Sequence, residues 1–588
     1  MVKPTPTVDR NLPRRFADFD TLVEAVDYAA RGGKGLNFYS GRGELVQSLP
    51  YAELRERAIK AARRLMALGV KRGDRVALLA DTSPAFISLF LGCQYAAVLP
   101  VPLPLPTSFG GREGYCQQLH RQMSSCAASV ALAPREMIDF VRQAAEGLKM
   151  DFIGTHREFA EIAPSSAPLR TPKHDDTCYL QYSSGSTRFP HGVAVSHRSL
   201  LANCHGMGKH GVQLVDDDRL VTWLPMYHDM GLVGCLLTPL CCQVSVDYLA
   251  TEDFARRPMQ WLKLMSKNRG TISYSPSFGY ELCARRAGAD ALASLDLSPW
   301  RVAGIGADMI RADVMRDFLR VFEPAGFSDK TFVASYGLAE CTLAVSFAPV
   351  RTGLEIDVVD ERQLANDKKA TPHQGGINGV NGGTCREVVN CGVPLPGYEL
   401  EIRDETGSLV GEREVGQIFV RGNSVMSGYF GDAEATAQVL SADGWLDTGD
   451  MGYRVGNALY IVGRTKDLII VNGRNHWPQD IEWVVEQLPG LRSGDSAAIS
   501  IPGQNDEEVA TLVVQCRLRG LDDRQMLIND IKKSVQKSLG INCQVALVPP
   551  RTLPRTSSGK LSRSKARDNM LKGMLTPIEA SDPVLARL

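Results

Sequence analysis

The chain has 588 residues, 44% apolar and 22% charged, an ordinary globular composition with length for ~three to five compact units. Lysine plus arginine balances aspartate plus glutamate at 66 each, so no net field favours nucleic acid or an anionic membrane as a partner. The N-terminus, MVKPTPTVDRNLPRRF, lacks the apolar core of a secretion signal, and no run approaches a membrane span, so no stable membrane insertion is expected. Fourteen scattered cysteines without a C-x-x-C pair read as free thiols of a reducing compartment, which implies a cytoplasmic protein.

The first part of the chain alternates helix and strand. Leu22, Ala25, Val26 and Ala29 recur at helical spacing, and Gly32 with Gly33 stops that helix. Residues 51–68 predict a long basic-faced helix ended by Gly69. Residues 75–80 (RVALLA) predict a buried strand, 86–97 an apolar helix and 129–133 another buried strand. The run 98–106 is punctuated by prolines, which donate nothing to a ladder, so it cannot be a central strand throughout. This order predicts a parallel, doubly wound α/β sheet.

The stretch 178–197 reads as two strands joined by a small hydroxyl-rich loop, Ser183, Ser184, Gly185, Ser186 and Thr187. Glycine lets the backbone approach a polyphosphate, and hydroxyls and N–H groups replace its lost water. The competing reading is a solvated Ser/Gly turn. No Lys-Ser/Thr closes the loop, so it is not a Walker loop. Strands are then predicted at 220–224, 271–275, 302–305 and 331–335. Each is followed at once by a polar cluster: 225–231 (PMYHDMG), 276–279 (PSFG), 306–308 (GAD) and 336–340 (YGLAE). Ligands of open parallel sheets bind outside the carboxyl ends of the strands, so four clusters at strand ends say more than any one. The G-x-G-x-x-G of 206–211 follows a helix-like run instead of a strand and is discounted as a dinucleotide site. His228 and Asp229 suggest a metal or acid–base pair, but no second ligand lies at i+4.

Between 348 and 390 the periodicity fades into polar text rich in Gly, Asn, Lys and Asp. Beyond it, short alternating runs predict a small antiparallel or barrel-like unit, with 445–450 (WLDTGD) an acidic loop and 452–462 a hairpin. After Lys466 a compact α+β unit of ~120 residues is predicted, with an irregular tail past Met574.

The hydroxyl loop and four later stretches, in this order, resemble the signature motifs of adenylate-forming enzymes. YGLAE resembles the motif whose aromatic, Tyr336, stacks on adenine and whose Glu340 holds Mg2+. WLDTGD resembles the motif whose last residue, Asp450, takes both ribose hydroxyls. GRTKD (463–467) resembles the hinge motif, with Arg464 contacting ribose and Lys466 the hinge. PRTSSGKLSR (554–563) resembles the terminal motif with its catalytic lysine, Lys560. The resemblance also implies nucleotide contacts at Gly306, Ala307, Asp308, Ser335, Gly337 and Leu338. It places His228 near the α-phosphate and acyl entry, with Tyr227 and Met230 beside the acyl tunnel. The implied chemistry is coherent: a carboxylate attacking the ATP α-phosphate brings anions together, and a cation, hydroxyl donors and a positioned lysine offset their repulsion.

Within that superfamily the chain resembles the fatty acyl-AMP ligases. The spellings of 180–193, 223–232 and 335–345 are theirs, and 473–482 (GRNHWPQDIE) replaces the text usual in acyl-CoA synthetases. The long stretch from Glu340 to Gly392 looks like that branch's insertion, at about 355–385 with its heart at 359–383; loops beyond ~15 residues are uncommon unless functional. One departure is His191, where many relatives carry Lys or Arg. The implied fold is two doubly wound α/β subdomains plus a β-barrel-like subdomain (1–465), followed by a mobile α+β domain (466–588). The implied reaction uses ATP, Mg2+ and a fatty acid to make acyl-adenylate. The acyl group then passes to an acyl carrier protein of a polyketide or nonribosomal peptide synthase system. The competing readings are an acyl-CoA synthetase and a catalytically weak nucleotide-binding paralogue.

Overall fold

Two sheets built on parallel strands dominate the computed structural model, which describes residues 9, 11–106, 111–183, 190–373, 385–471, 474–502, 508–556 and 560–581. The larger has nine strands. Its central strands, Phe332–Gly337, Val302–Ile305, Ile272–Ser275, Arg219–Thr222, Ser245–Leu249 and Gly35–Tyr39, all run parallel. Antiparallel strands close both margins: Ala344–Phe347 with Val393–Pro394 on one side, Leu45–Pro50 on the other. Because four of the strands expected from the sequence share one direction here, the polar clusters that follow them gather along one edge of the sheet.

The second sheet is parallel throughout, in the order Leu99–Leu103, Arg75–Leu79, Ala128–Ala133, Phe152–Thr155. Leu99–Leu103 is its marginal strand, which is why Pro100 and Pro102 are tolerated there. Local chemistry sets the helices. Leu22–Ala29 starts at Thr21, whose hydroxyl accepts the Glu24 N–H, and buries the four apolar residues that predicted it. Pro84–Ala96 is capped by Ser83, carries proline in its first turn, and is buried nearly all round, as a helix apolar on every face must be.

The sequence expectations needed three corrections. Residues 445–450 are not mainly a loop: strand Leu446–Val455 runs through them, between Gly416–Gly422 and Ala458–Arg464. Its turn-like text reflects a register shift and Gly449 at φ +70°, and long-range pairing overrides it. The 348–390 segment is ordered where described, as strand Ile356–Asp360 paired with Cys385–Val389 and helix Glu361–Asn366 between them. Its few apolar side chains, Val359, Leu364 and Val388, suffice because they share a buried cluster with Trp477 from far downstream. The tail is not wholly irregular either, since Glu579–Ala580 pairs with Gln544–Val548.

That last strand completes a four-stranded sheet with Ser496–Pro502 and Glu508–Gln515, flanked by helices Pro478–Glu486, Leu521–Leu539 and Arg563–Leu571. This C-terminal unit has its own apolar clusters and meets the rest of the chain at helix Pro478–Glu486 and at Trp477 just before it. Gln479 Nε2 donates to the Val462 carbonyl at 2.8 Å, Arg386 pairs with Asp480 at 3.1 Å, and Arg311 pairs with Glu486 at 3.3 Å. No helix among the described residues is long and apolar enough to cross a membrane. All fourteen cysteines are free thiols.

Gly337 shows how tightly the site edge is built. A Cβ there would lie 1.9 Å from the Leu343 carbonyl oxygen, whereas one at Gly288 would meet nothing within 4 Å. Gly337→Ala should therefore cost about 1–3 kcal/mol, as overpacking does, and lower the melting temperature measurably. Gly288→Ala should leave the melting temperature nearly unchanged; scanning calorimetry of the two variants checks the contrast.

Candidate active site

Along the edge where the polar clusters gather lies a cavity of about 440 Å³. Its polar end is lined by Ser183, His228, Asp229, Glu340, Arg464 and Lys560; its apolar end by Met207, Leu220, Val244, Ile272, Tyr274 and Phe347. Two π-helical segments, Gly206–Gly211 and Met230–Leu237, supply Met207, Met230 and Gly234 to the wall. Such wide turns recur at functional sites because they displace side chains from a regular helix face.

The residues expected at a nucleotide are close together. Gly306, Ala307, Ser335, Tyr336, Gly337 and Leu338 line the cavity, and Asp308 follows at the surface. The Ser335 hydroxyl donates to the Ile305 carbonyl at 3.2 Å, tying adjacent strand ends together. Tyr336 donates its hydroxyl to Asp450 Oδ2 at 2.7 Å, and Arg464 Nε donates to Asp450 Oδ1 at 2.9 Å. Asp450 faces Arg464 directly across the hairpin. Burial, with Asp450 behind it, pushes the Tyr336 phenol well above its ordinary pKa; Asp450 likewise raises that of Arg464. Each carboxylate oxygen of Asp450 keeps a second lone pair for a further donor. Ser184, Gly185, Ser186 and Thr187 lie outside the described residues.

Glu340 sits in the turn Ala339–Cys341, pinned by the Met426 N–H donating to its carbonyl at 2.8 Å. Two residues on, Thr342 has φ +70°, which a β-branched residue adopts only under constraint, and Ala307 has φ +69°. Both flank the cavity's polar end, and backbone strain of this kind clusters at functional sites. The Tyr429 hydroxyl donates to Glu340 Oε1 at 3.0 Å. Tyr429 is held in turn by its bridge to Val193 and by the Phe430 N–H donating to the Gly192 carbonyl. The sequence reading missed Tyr429, because it lies in aperiodic text and acquires its place only when that text docks on the hairpin. Burial raises the Glu340 carboxyl above its usual pKa, so a cation brought beside it would relieve the cost of its charge. One carboxylate at the cavity's polar end suits Mg2+, which takes one or two carboxylates plus substrate phosphates.

Lys560 reaches this cavity from the C-terminal unit. Burial lowers its pKa, while Asp308, Asp229 and Asp450 oppose that shift. Lys466 and Thr465 also reach the cavity wall. His228 Nδ1 lies 2.6 Å from Asp229 Oδ1. No cluster of three metal-ligating side chains occurs among the described residues. Tyr227 and Met230 line the same cavity, and burial pushes the Tyr227 phenol up to about 12. His191 packs on the Tyr429 ring with centroids 4.6 Å apart and lies 3.2 Å from Asp432, so an acidic neighbour accompanies the departure noted in the sequence.

Residues 30–430 match the AMP-binding enzyme family, and residues 473–566 match the AMP-binding enzyme C-terminal domain. A protein of Caulobacter vibrioides (strain NA1000 / CB15N) named for acyl-CoA synthetase activity is 48% identical over 574 residues, 97% of this chain and 98% of its own. The medium-chain-fatty-acid–[acyl-carrier-protein] ligase JamA of Moorena producens (strain JHB) is 32% identical over 610 residues, 97% and 98% of the two chains. A solved structure from studies of fatty acyl-adenylate ligases of E. coli and L. pneumophila is 45% identical. It superposes with a TM-score of 0.90 over 96% of this chain and 100% of its own.

The hydrogen bond from Tyr429 lowers the Glu340 carboxyl against the push of burial. Tyr429→Phe removes it, so Glu340 should take up its proton at a higher pH. The acid limb of the pH–rate profile for ATP-dependent turnover should move upward in that variant, while the wild-type limb stays lower.

Proposed function

Because this chain belongs to the AMP-binding enzyme family, we propose that it is a fatty acyl-AMP ligase that loads an acyl carrier protein. In the first half-reaction a fatty-acid carboxylate oxygen attacks the ATP α-phosphorus, the bond to pyrophosphate breaks, and acyl-adenylate remains. In the second, a phosphopantetheine thiol attacks the acyl carbonyl and AMP leaves. The observation that carries this reading is Lys560. It comes from the far end of the chain into the cavity that holds His228, Glu340 and Arg464, and an apolar chamber opens from the same cavity.

In this reading the apolar chamber takes the acyl chain past Tyr227 and Met230, so the carboxylate emerges beside His228. Asp450 anchors the ribose with its remaining lone pairs, helped by Arg464, and the strand ends 306–308 and 335–338 frame the adenine. The loop 183–187 and Lys560 meet the phosphates. When bound, Mg2+ at Glu340 neutralises phosphate charge. Lys560 acts on charge that builds on the α-phosphate oxygens, in a site from which water is largely excluded. We assign residues 1–465 to the adenylation domain and 466–588 to a mobile domain turning about Lys466. One orientation delivers Lys560 and another opens the thiol route. The carrier we infer is one of a polyketide or nonribosomal peptide synthase system, in the cytoplasm, where fourteen free thiols stay reduced.

A second reading, an acyl-CoA synthetase, is favoured by the name of the Caulobacter relative. The segment 355–385 decides our choice. Its Val359 and Leu364 share an apolar cluster with Trp477, and Arg386 beside it pairs with Asp480, so it braces the very unit that must turn for thiol transfer. A bias of a few kcal/mol between two orientations suppresses one by ~10²–10³.

Lys560→Ala should slow acyl-AMP formation by roughly 10²–10³, the worth of one such electrostatic contact, with transfer from pre-formed acyl-AMP largely intact. Fatty-acid-dependent pyrophosphate release reads the first step, and an unchanged rate would remove Lys560 from the mechanism. Replacing 361–384 by a short Gly/Ser closure keeps the strands Ile356–Asp360 and Cys385–Val389. Adenylation should persist in that variant while acyl-CoA formation rises from undetectable to measurable. A folded, adenylating deletion that still ignores CoA would move the discrimination to the face of 473–482.

A further inference from the structure

Asp229 has no part in the scheme above, yet it is a carboxylate at the point where two anionic substrates must meet. Its side chain is 12% exposed and that of His228 13%, so both charges are largely out of water. A carboxylate in that position costs desolvation and repels the incoming acid and phosphate. Its retention needs a local cause.

Two groups converge on one of its oxygens. The Met230 N–H donates to Asp229 Oδ1 at 2.7 Å, and His228 Nδ1 lies 2.6 Å from the same atom. The first contact is a helix cap, since Met230 opens the π-helical segment Met230–Leu237. A cap alone does not need a charge, because asparagine serves as well. The second contact does more. A carboxylate accepts and cannot donate, so at 2.6 Å the proton belongs on Nδ1. The Met230 N–H also reaches that nitrogen, at 3.2 Å, a contact that would need Nδ1 bare; the shorter contacts to the carboxylate, 2.7 and 2.6 Å, favour the Nδ1–H form. With Nδ1 committed, Nε2 is the ring nitrogen left for substrate, and His228 lines the cavity. The ring is fixed from the backbone side as well: the Leu232 N–H donates to the His228 carbonyl at 2.8 Å, and Gln181 Nε2 donates to the Tyr227 carbonyl at 2.8 Å. Burial works against the Asp229 charge, but His228 and Lys560 together hold its carboxyl below the ordinary pKa.

We propose that Asp229 is a positioning residue for the adenylation step, holding His228 in the Nδ1–H form so that Nε2 faces the acyl carboxylate and α-phosphate. The proposal rests on the function assigned above. It adds a residue that acts through His228 and whose charge, not its capping bond, is what the reaction uses.

The test is a double-mutant cycle on acyl-AMP formation with His228→Ala, Asp229→Asn and the pair, joined to a histidine-labelled ¹⁵N spectrum. Asp229→Asn preserves the cap and removes the charge. It should lower kcat by about 10–100-fold, as loss of an orienting partner does, with KM for ATP changed by less than about twofold. The double variant should be no slower than His228→Ala, because the aspartate acts only through the histidine. The spectrum, assigned by its loss in His228→Ala, should show Nδ1 protonated in the wild type. Asp229→Asn at the wild-type rate, losses that multiply, or a wild-type ring protonated at Nε2 alone would each overturn the proposal. The spectrum decides even if Asp229→Asn does not fold. A wild-type protein that makes no acyl-AMP would instead sink the function assigned above, leaving the tautomer of His228 to be read independently.

Discussion

The arrangement depends on drawing one ammonium group partly out of water. Lys560 is half-buried in a cavity whose other lining residues all lie between Gln181 and Lys466. A buried lysine sheds its charge unless carboxylates hold it, and Asp308, Asp229 and Asp450 oppose that loss. Those carboxylates are themselves shared: Asp450 with Arg464 and Tyr336, Asp229 with His228. The polar end of the cavity is thus one linked charge system completed only when the C-terminal unit is seated. The polar contacts of Arg311 with Glu486, Arg386 with Asp480 and Gln479 with Val462 fall on one short helix, Pro478–Glu486, and Trp477 just before it packs among Val359, Leu364 and Val388.

The other half of the cavity follows a different rule. Its apolar wall is rigid scaffold, sheet strands Arg219–Thr222 and Ile272–Ser275 on one side and two π-helical segments on the other. Residues bent against their preferences, Thr342 and Ala307, stand where the rigid sheet edge meets the polar end. The apolar wall and the lysine thus come from different parts of the chain, residues up to Phe347 and the C-terminal unit.

Much of this was legible in the sequence because it is local. Helix Leu22–Ala29 follows from spacing plus a threonine cap, and strand Val302–Ile305 coincides with its apolar run. The polar clusters were legible because each follows directly on a strand. What failed was long-range. Residues 445–450 read as a loop since glycine and aspartate punctuate them, and only pairing on both sides makes them strand. The 348–390 segment looked structureless because its few apolar residues find their partner, Trp477, in another part of the fold. Tyr429 had no signal at all, and Asp229 was read only as half of a metal or acid–base pair with His228. Its bond to His228 depends on a π-helical turn that sequence period does not encode.

The central claim is that a lysine drawn into the cavity from the C-terminal unit activates a fatty acid whose acyl group then leaves on a carrier-protein thiol. The most direct measurement gives the purified protein ATP, a fatty acid and equal amounts of CoA and holo acyl carrier protein, and weighs the products by mass spectrometry. The account predicts pyrophosphate release that depends on fatty acid, carrier protein heavier by one acyl group, and no acyl-CoA. Acyl-CoA as the main product, or no pyrophosphate release with any fatty acid, would contradict it.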